Sequence, residues 1–505
     1  MKLLEKKLFW LWVSFVTGAA GLGLEISASR LLAPHFGSST VVWSSIIGVV
    51  LLALSGGYFI GGKLAEKDIS ENLLLRIVLA SGLLTLCIPL FAPGFLTILS
   101  TQIVTHHIGL FLIGGSVLAS LLLFGLPVFL LGCVSPYLLS LLTKKLGHVG
   151  STSGQLFAIS TLGALSGTFL PTLVLIPGIG TRYTIVSFGF VLILTGMPGI
   201  SRKQKIGTIL LIASILAGSS IISIPQKATL AQAESTYQYI AITEPSVGTR
   251  YMQFDAGFGV QSVYTENSLF TGLYYDYASL LPTLLEPTST NPKRALIIGL
   301  AGGTIPRQLH ALYGNNIQID AVEIDKTSIQ LAKQYMGIEN TPLTIHNQDG
   351  RLFLNQSKDT YDFIYVDAYQ NELQIPWALT TQEFWKEVRS HLTTTGVAAM
   401  NVAAIGSRQN SLANTIANTE GSVFAHVYEI ELEHRRNASH LAVMSEQKLD
   451  FSKLLTPGKV PDEFTAAAGF LSQVATEYTY DATKQVLTDD KAPLEWLLIR
   501  DITAK

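Results

Sequence analysis

The chain has 505 residues, 48% of them hydrophobic and only 14% charged, and its mean hydropathy is +0.39. Those values exclude an ordinary soluble protein and point to membrane spans joined to a soluble part. Residues 1–224 hold 13 Lys and Arg against 5 Asp and Glu, whereas the remainder holds 21 against 31. The second part is therefore acidic, which argues against nucleic acid as a partner. An acidic surface suits a small cationic amine as substrate, although ordinary solubility explains it equally well. Cys87 and Cys133 both lie in apolar segments, where cysteine acts as a small hydrophobe, and neither has metal-ligand spacing, so no metal is expected.

Met1 to Lys7 is short and carries three lysines, and Leu8 to about Leu32 is long enough to span a bilayer. Further apolar segments follow at 41–62, 73–96, 108–142, 155–177, 181–200 and 206–224. Continued spans argue against a cleaved signal peptide. Gly56-Gly57, Gly61-Gly62 and Gly114-Gly115 would allow close helix approach, as would Gly154, Ala158, Gly163, Ala164 and Gly167 on one helix. Glycine is also simply common in membrane helices. Glu25 and Arg30 are ionisable groups in the first span; Glu25 is a candidate for cation binding or helix packing, and Arg30 for snorkelling at the span's end. Counting basic loops gives seven spans and an external soluble domain. Splitting 108–142 at Gly125-Leu-Pro127 gives eight spans and a cytoplasmic soluble domain, which is the expected placement.

A polar linker over 225–236 leads to a β-like pattern, Tyr239–Thr243, Thr249–Phe254 and Gly259–Tyr264, broken by Gly and Pro. This predicts a small antiparallel sheet over 237–272. A helix is expected over Leu273–Leu285. Then Arg294-Ala-Leu-Ile-Ile-Gly-Leu-Ala-Gly-Gly-Thr304 reads as a buried parallel strand, a tight glycine turn at Gly299, Gly302 and Gly303, and a helix. A second strand ends in Glu323-Ile-Asp325, about two dozen residues after Gly299, the interval at which an acid takes the ribose hydroxyls of a nucleotide. A third unit ends in Gln348-Asp349-Gly350, and a fourth strand, Tyr361–Val366, ends in Asp367. Four strand ends with polar or glycine elements describe a doubly wound, Rossmann-like α/β domain over 273–505 with one nucleoside crevice. No Gly-Lys-Ser/Thr follows the turn, so it is not a phosphate loop. Strand-end aspartates can also merely cap the next turn. Later segments supply a Thr380- or Thr381-capped helix, a strand over Gly396–Val402 and two edge strands near Glu429–Glu433 and Leu441–Met444.

From Glu234 to Val402 these motifs resemble the catalytic domain of spermidine synthases, aminopropyltransferases on the class I methyltransferase fold. Ser235-Thr-Tyr237-Gln238 resembles the family's entry motif, and Tyr274 with Asp276 its Tyr-His-Glu motif. The glycine turn through Arg307, Glu323, Asp349-Gly350 and Asp367 follow in family order. Gly21-Leu-Gly-Leu-Glu25, Leu130-Leu-Gly132 to Pro136 and the tail Leu487–Trp496 resemble proteins in which such a domain is fused to a transporter-type membrane region. The resemblance implies that Gly299, Gly302, Gly303, Glu323, Asp325, Asp349, Gly350 and Asp367 bind decarboxylated S-adenosylmethionine. It implies Tyr237, Gln238, Tyr274 and Gln370 around the acceptor, and Asp367, Gln370 and Tyr274 as the catalytic group. It also implies that the small sheet covers the site and supports a homodimer. Two positions depart: Gly302 stands where the family loop carries an acid, and Gln370 where the family has a second acid that deprotonates the amine. The reading is a membrane-anchored aminopropyltransferase acting on a polyamine. A methyltransferase using S-adenosylmethionine, for whose carboxylate Gly302 leaves room, is the second; a transporter or sensor that binds a nucleoside or polyamine without turnover is the third.

Overall fold

The structure, a computed structural model, describes residues 2–37, 40–67, 69–103, 114–146, 149–221, 228–255, 259–285, 292–369, 374–403, 411–432 and 440–503. The chain divides into two compact units, Met1–Pro225 and Gln226–Lys505.

The first unit is helical, because its segments are apolar throughout and satisfy their backbone groups internally. Among the described residues, five helical stretches are long and apolar enough to cross a membrane: Lys7–Phe36, Thr40–Lys67, Glu71–Leu96, Ser116–Lys144 and Val149–Gly199. The expected break at Gly125–Pro127 is a π turn, Leu121–Gly125, that runs on into the helix Leu126–Leu146, so this stretch is one candidate span. The segments 155–177 and 181–200 lie in the last stretch, which breaks at Gly180 (φ 79°, ψ 164°). The helix Arg202–Ile221 is not among the five. Three pairings dominate: Lys2–Phe36 with Val149–Leu170, Thr40–Lys67 with Leu126–Leu146, and Glu71–Ile103 with Ile176–Gly196. Glycine sets each approach. A Cβ on Gly57 would lie 2.8 Å from the Gly132 Cα, and one on Gly82 would lie 2.8 Å from the Ile193 nitrogen. Gly163 and Gly167 press on the carbonyls of Phe15 and Ala19, whereas Gly154 meets nothing. The small-residue face is thus a packing face at its C-terminal end only.

Among the described residues, the second unit has two sheets. The smaller is an antiparallel meander, β1 (Thr229–Glu234), β2 (Tyr239–Ser246), β3 (Thr249–Phe254) and β4 (Gly259–Thr265). Its first strand falls in the stretch read as linker; the alternation Leu230, Gln232, Glu234 is too polar to announce a strand, and pairing with β2 makes it one. The expected Leu273–Leu285 helix is a single turn, Tyr274–Ala278, followed by a 3₁₀ turn at Leu281–Leu284, because Pro282 interrupts it.

The larger sheet contains β5 (Lys293–Ile298), β6 (Ile317–Val322), β7 (Thr344–His346), β8 (Tyr361–Val366), β9 (Leu392–Val402), β10 (His426–Glu431), β11 (His440–Ser445) and β12 (Thr476–Tyr478). Its order is β12-β10-β11-β9-β8-β5-β6-β7, parallel from β7 to β9, with β11 antiparallel to both neighbours. β11, expected at an edge, is interior, which is why all six of its residues are buried. The central strands are apolar on both faces: Ala295 and Ile297 enter one core, Leu296 and Ile298 the other. The order reverses between β5 and β8, so a crevice opens beyond their C-terminal ends.

The helix Leu412–Gly421 packs against β10 and carries a fully buried acid, Glu420. Neither of its carboxyl oxygens has a hydrogen-bond partner among the described residues. Burial, and then Glu429, push its pKa well above the usual carboxylate value. A folded-state pKa raised above the unfolded one costs stability as pH rises past the unfolded value of about 4.5. Glu420→Gln should therefore raise the unfolding temperature of the detergent-solubilised protein at pH 8 and leave it nearly unchanged at pH 4.5. An equal shift at both pH values would show that Glu420 is not kept neutral by the fold.

Candidate active site

The crevice floor begins with the turn after β5. Gly299 has φ 95° and Gly303 φ 80°, and a Cβ on Gly299 would overlap the carbonyl of Asp367. The turns after β5 and β8 therefore touch, and this contact brings Asp367 beside the glycine turn. Glu323, at the end of β6, is 8% exposed and reaches under the turn. One of its oxygens accepts from the Leu300 and Ala301 amides (3.1 and 3.0 Å) and the other from the Asp325 amide (2.9 Å). Burial raises its pKa, and these bonds oppose the rise.

Asp367 lies beside this turn. Its Oδ2 accepts from the Tyr274 hydroxyl at 2.8 Å and its Oδ1 from the Asn401 amide at 2.9 Å. Burial lifts its pKa to about 6, and the bonds from Asn401 and Tyr274 keep it from rising further. The carboxyl is thus ionised at neutral pH yet near the value that suits a proton acceptor. Tyr274 is buried against Tyr275, ring centroids 4.0 Å apart, and burial followed by the Asp367 charge drives its phenol far above its ordinary pKa. It stays protonated and donates. Tyr365 and Tyr369 complete an aromatic wall; the Tyr369 hydroxyl donates to the Asn401 carbonyl (2.7 Å) and accepts from the Ala403 amide (2.8 Å). Such a wall around a carboxylate favours a cationic group.

Of the residues expected at the site, Gly299, Gly302, Gly303, Glu323, Asp367 and Tyr274 lie at this crevice. Asp325 is held elsewhere: it caps the helix Lys326–Tyr335 through Thr327 and accepts from the Ser235 hydroxyl at 2.6 Å. Both oxygens are used, so it ties the entry motif to the larger sheet. Asp349 caps the helix Gly350–Gln356 and is exposed at the rim, with Gly350 packed on Ile298 of β5. Gln238 is buried and Tyr237 is 52% exposed. Asp276 is spent on the Thr271–Gly272 turn and Gln308. Arg307 stacks on Tyr264, 4.4 Å from its ring centre. Gln370 lies outside the described residues.

The room expected beside Gly302 is absent. Ser262 of β4 fills it: its Oγ accepts from the Gly302 amide at 2.8 Å, and a Cβ on Gly302 would stand 2.6 Å from the Ser262 Cβ. Residue-by-residue reading misses Ser262 because it lies on the other sheet. It also misses Asn401, although a lone amide at the end of an apolar run, Val397–Val402, is a legible signal. A third group missed is Arg351, which binds Glu387 (3.1 and 3.3 Å), the Ala378 carbonyl (3.2 Å) and Asp489 (2.7 and 2.8 Å). With Gln374 donating to Glu495 at 3.0 Å, this anchors the tail acids to the segment that follows β8. Asp489 and Glu495 are thus structural partners.

A mainly parallel sheet with this strand order, β11 and β12 running antiparallel to the rest, and a glycine turn facing strand-end acids define a class I methyltransferase-type domain. Known proteins narrow this. The sequence profile of the spermine/spermidine synthase domain matches residues 276–432. A "probable polyamine aminopropyl transferase" of Bifidobacterium longum is 33% identical over 283 residues, which cover 53% of this chain and 61% of the relative. A polyamine aminopropyltransferase of Vibrio vulnificus is 28% identical over 307 residues, covering 57% of this chain and 98% of the relative. The crystal structure of spermidine synthase from Thermotoga maritima matches with a TM-score of 0.37 at 19% identity, over 48% of this chain and 84% of that one. Residues 276–432 thus match the spermine/spermidine synthase domain, and a helical, apolar N-terminal unit precedes them in the sequence.

Proposed function

We propose that the C-terminal unit is an aminopropyltransferase that moves the aminopropyl group of decarboxylated S-adenosylmethionine to a polyamine, with the N-terminal unit as its membrane anchor. The observation that carries this is Asp367, an acid of pKa about 6 held by Tyr274 and Asn401 against the glycine turn. In this reading Glu323 takes the ribose and Asp349 the adenine amine. The acceptor reaches the crevice as an ammonium, and Asp367 accepts one of its protons. The freed amine attacks the carbon next to sulfonium; a C–N bond forms, the C–S bond breaks, and methylthioadenosine leaves as a neutral thioether. The protein mainly positions the reactants and keeps the nucleophile unprotonated. Gln370 cannot take a proton, so Asp367 acts alone in this step.

The test uses full-length protein in detergent with decarboxylated S-adenosylmethionine and putrescine or spermidine, followed by mass spectrometry. Methylthioadenosine and a polyamine longer by one aminopropyl unit are expected, with a rate that falls below about pH 6, where Asp367 is protonated. S-adenosylhomocysteine formed from S-adenosylmethionine would show methyl transfer instead. Saturable binding without either product would leave a non-catalytic binding protein.

A further inference from the structure

The turn after β5 is where a strand–helix crevice ordinarily takes an anion, because its peptide N–H groups point at the ligand. Here all five amides from Gly299 to Gly303 are already engaged. Gly299 donates to the Val322 carbonyl at 2.9 Å, Leu300 and Ala301 to the Glu323 carboxylate at 3.1 and 3.0 Å, and Gly303 to the Leu300 carbonyl at 2.8 Å. Gly302 donates to Ser262 Oγ at 2.8 Å. Ser262 is 2% exposed, and the strand that carries it is pinned to the turn, because the neighbouring Val263 exchanges two hydrogen bonds with Thr304 (2.8 and 2.9 Å) at the start of the helix beyond the turn. Two carboxylates, Glu323 and Asp367, flank the turn. A carboxylate brought here would meet no free amide in the turn and two like charges.

We propose that Ser262, by capping the Gly302 amide, makes the glycine turn exclude a carboxylate, so that the crevice selects an adenosyl sulfonium whose tail ends in an amine alone. This rests on the functional reading above. Ser262 is then a specificity-determining residue supplied by the small sheet, and Gly302 is its matched partner, since any side chain at 302 would displace it.

Calorimetry on the full-length protein in detergent tests this with two ligand pairs: decarboxylated against intact S-adenosylmethionine, and methylthioadenosine against S-adenosylhomocysteine. The wild type should prefer the carboxylate-free member of each pair by at least about tenfold. Ser262→Ala should uncover the Gly302 amide and narrow the preference several-fold, through tighter binding of the carboxylate-bearing member. Equal affinities within both wild-type pairs would overturn the inference while leaving an adenosyl-binding crevice standing. So would an undiminished preference in Ser262→Ala. Binding of none of the four compounds would overturn the functional reading as well. The wild-type comparison stands even if the variant fails to fold.

Discussion

Asp367→Asn should abolish transfer and stabilise the protein at the same time. The loss of activity follows from removing the proton acceptor, an effect of about a hundredfold to ten-thousandfold for a positioned general base. The gain in stability follows from the same burial that tunes it. Its pKa rises from 3.8 unfolded to about 6 folded, so folding disfavours the ionised form. A raised pKa means that the cost is absent below about pH 4, grows between 4 and 6, and is fully present above 6. A rise of this size corresponds to at most about 3 kcal/mol. The observed gain should be smaller, because the asparagine amide would turn a donor toward one of the two donors, Tyr274 and Asn401, that now face the carboxylate. Thermal unfolding of wild type and variant at pH 4.5 and pH 7.5 measures it. A gain confined to the higher pH is the expected result; equal stability at both would mean that Asp367 is well solvated and not tuned by burial.

Gly299→Ala should have the largest structural effect of any single methyl group in the second unit. The backbone there has φ 95°, a region that L side chains rarely adopt, and the new Cβ would overlap the carbonyl of Asp367. Strain and overlap together should cost about 3 kcal/mol or more, and the displaced β8 turn should carry Asp367 away from Tyr274. Gly314→Ala is the control for strain alone: its backbone (φ 57°, ψ −135°) also favours glycine but nothing lies within 4 Å of its Cβ, so about 1–3 kcal/mol of strain without overlap is expected. Unfolding temperatures and adenosyl-ligand binding would be compared for both. If Gly299→Ala were no worse than Gly314→Ala, contact between the two turns could not be what sets the site.

Local patterning made much of the second unit legible. The apolar runs at Ala295–Ile298 and Phe363–Val366 are strands because residues buried on both faces of a parallel sheet need no alternation. The glycines that follow the first run mark a tight turn in which Gly299 and Gly303 take positive φ. β1 was invisible for the converse reason: a short, half-polar edge strand has no pattern of its own and exists through its pairing with β2. The partner of Asp489 was illegible too, because nothing nearby in the chain announces that Arg351, 138 residues away, claims it.

By itself, then, the sequence determined the two-part organisation, the helical first unit, the doubly wound order of the second, and the presence of acids at the ends of β6 and β8. Tertiary structure decided what each acid does. Glu323 and Asp367 face the glycine turn, whereas Asp325 is bound to Ser235 and Asp349 caps a helix at the rim. It also supplied the partners that tune the site: Ser262 to Gly302, 40 residues apart, Asn401 to Asp367, 34 apart, and Arg351 to Asp489, 138 apart. The physical reason is range. Strand and turn preferences are set by neighbours within a few residues, but the pKa of a carboxylate and the freedom of an amide are set by whatever packing brings within hydrogen-bond reach.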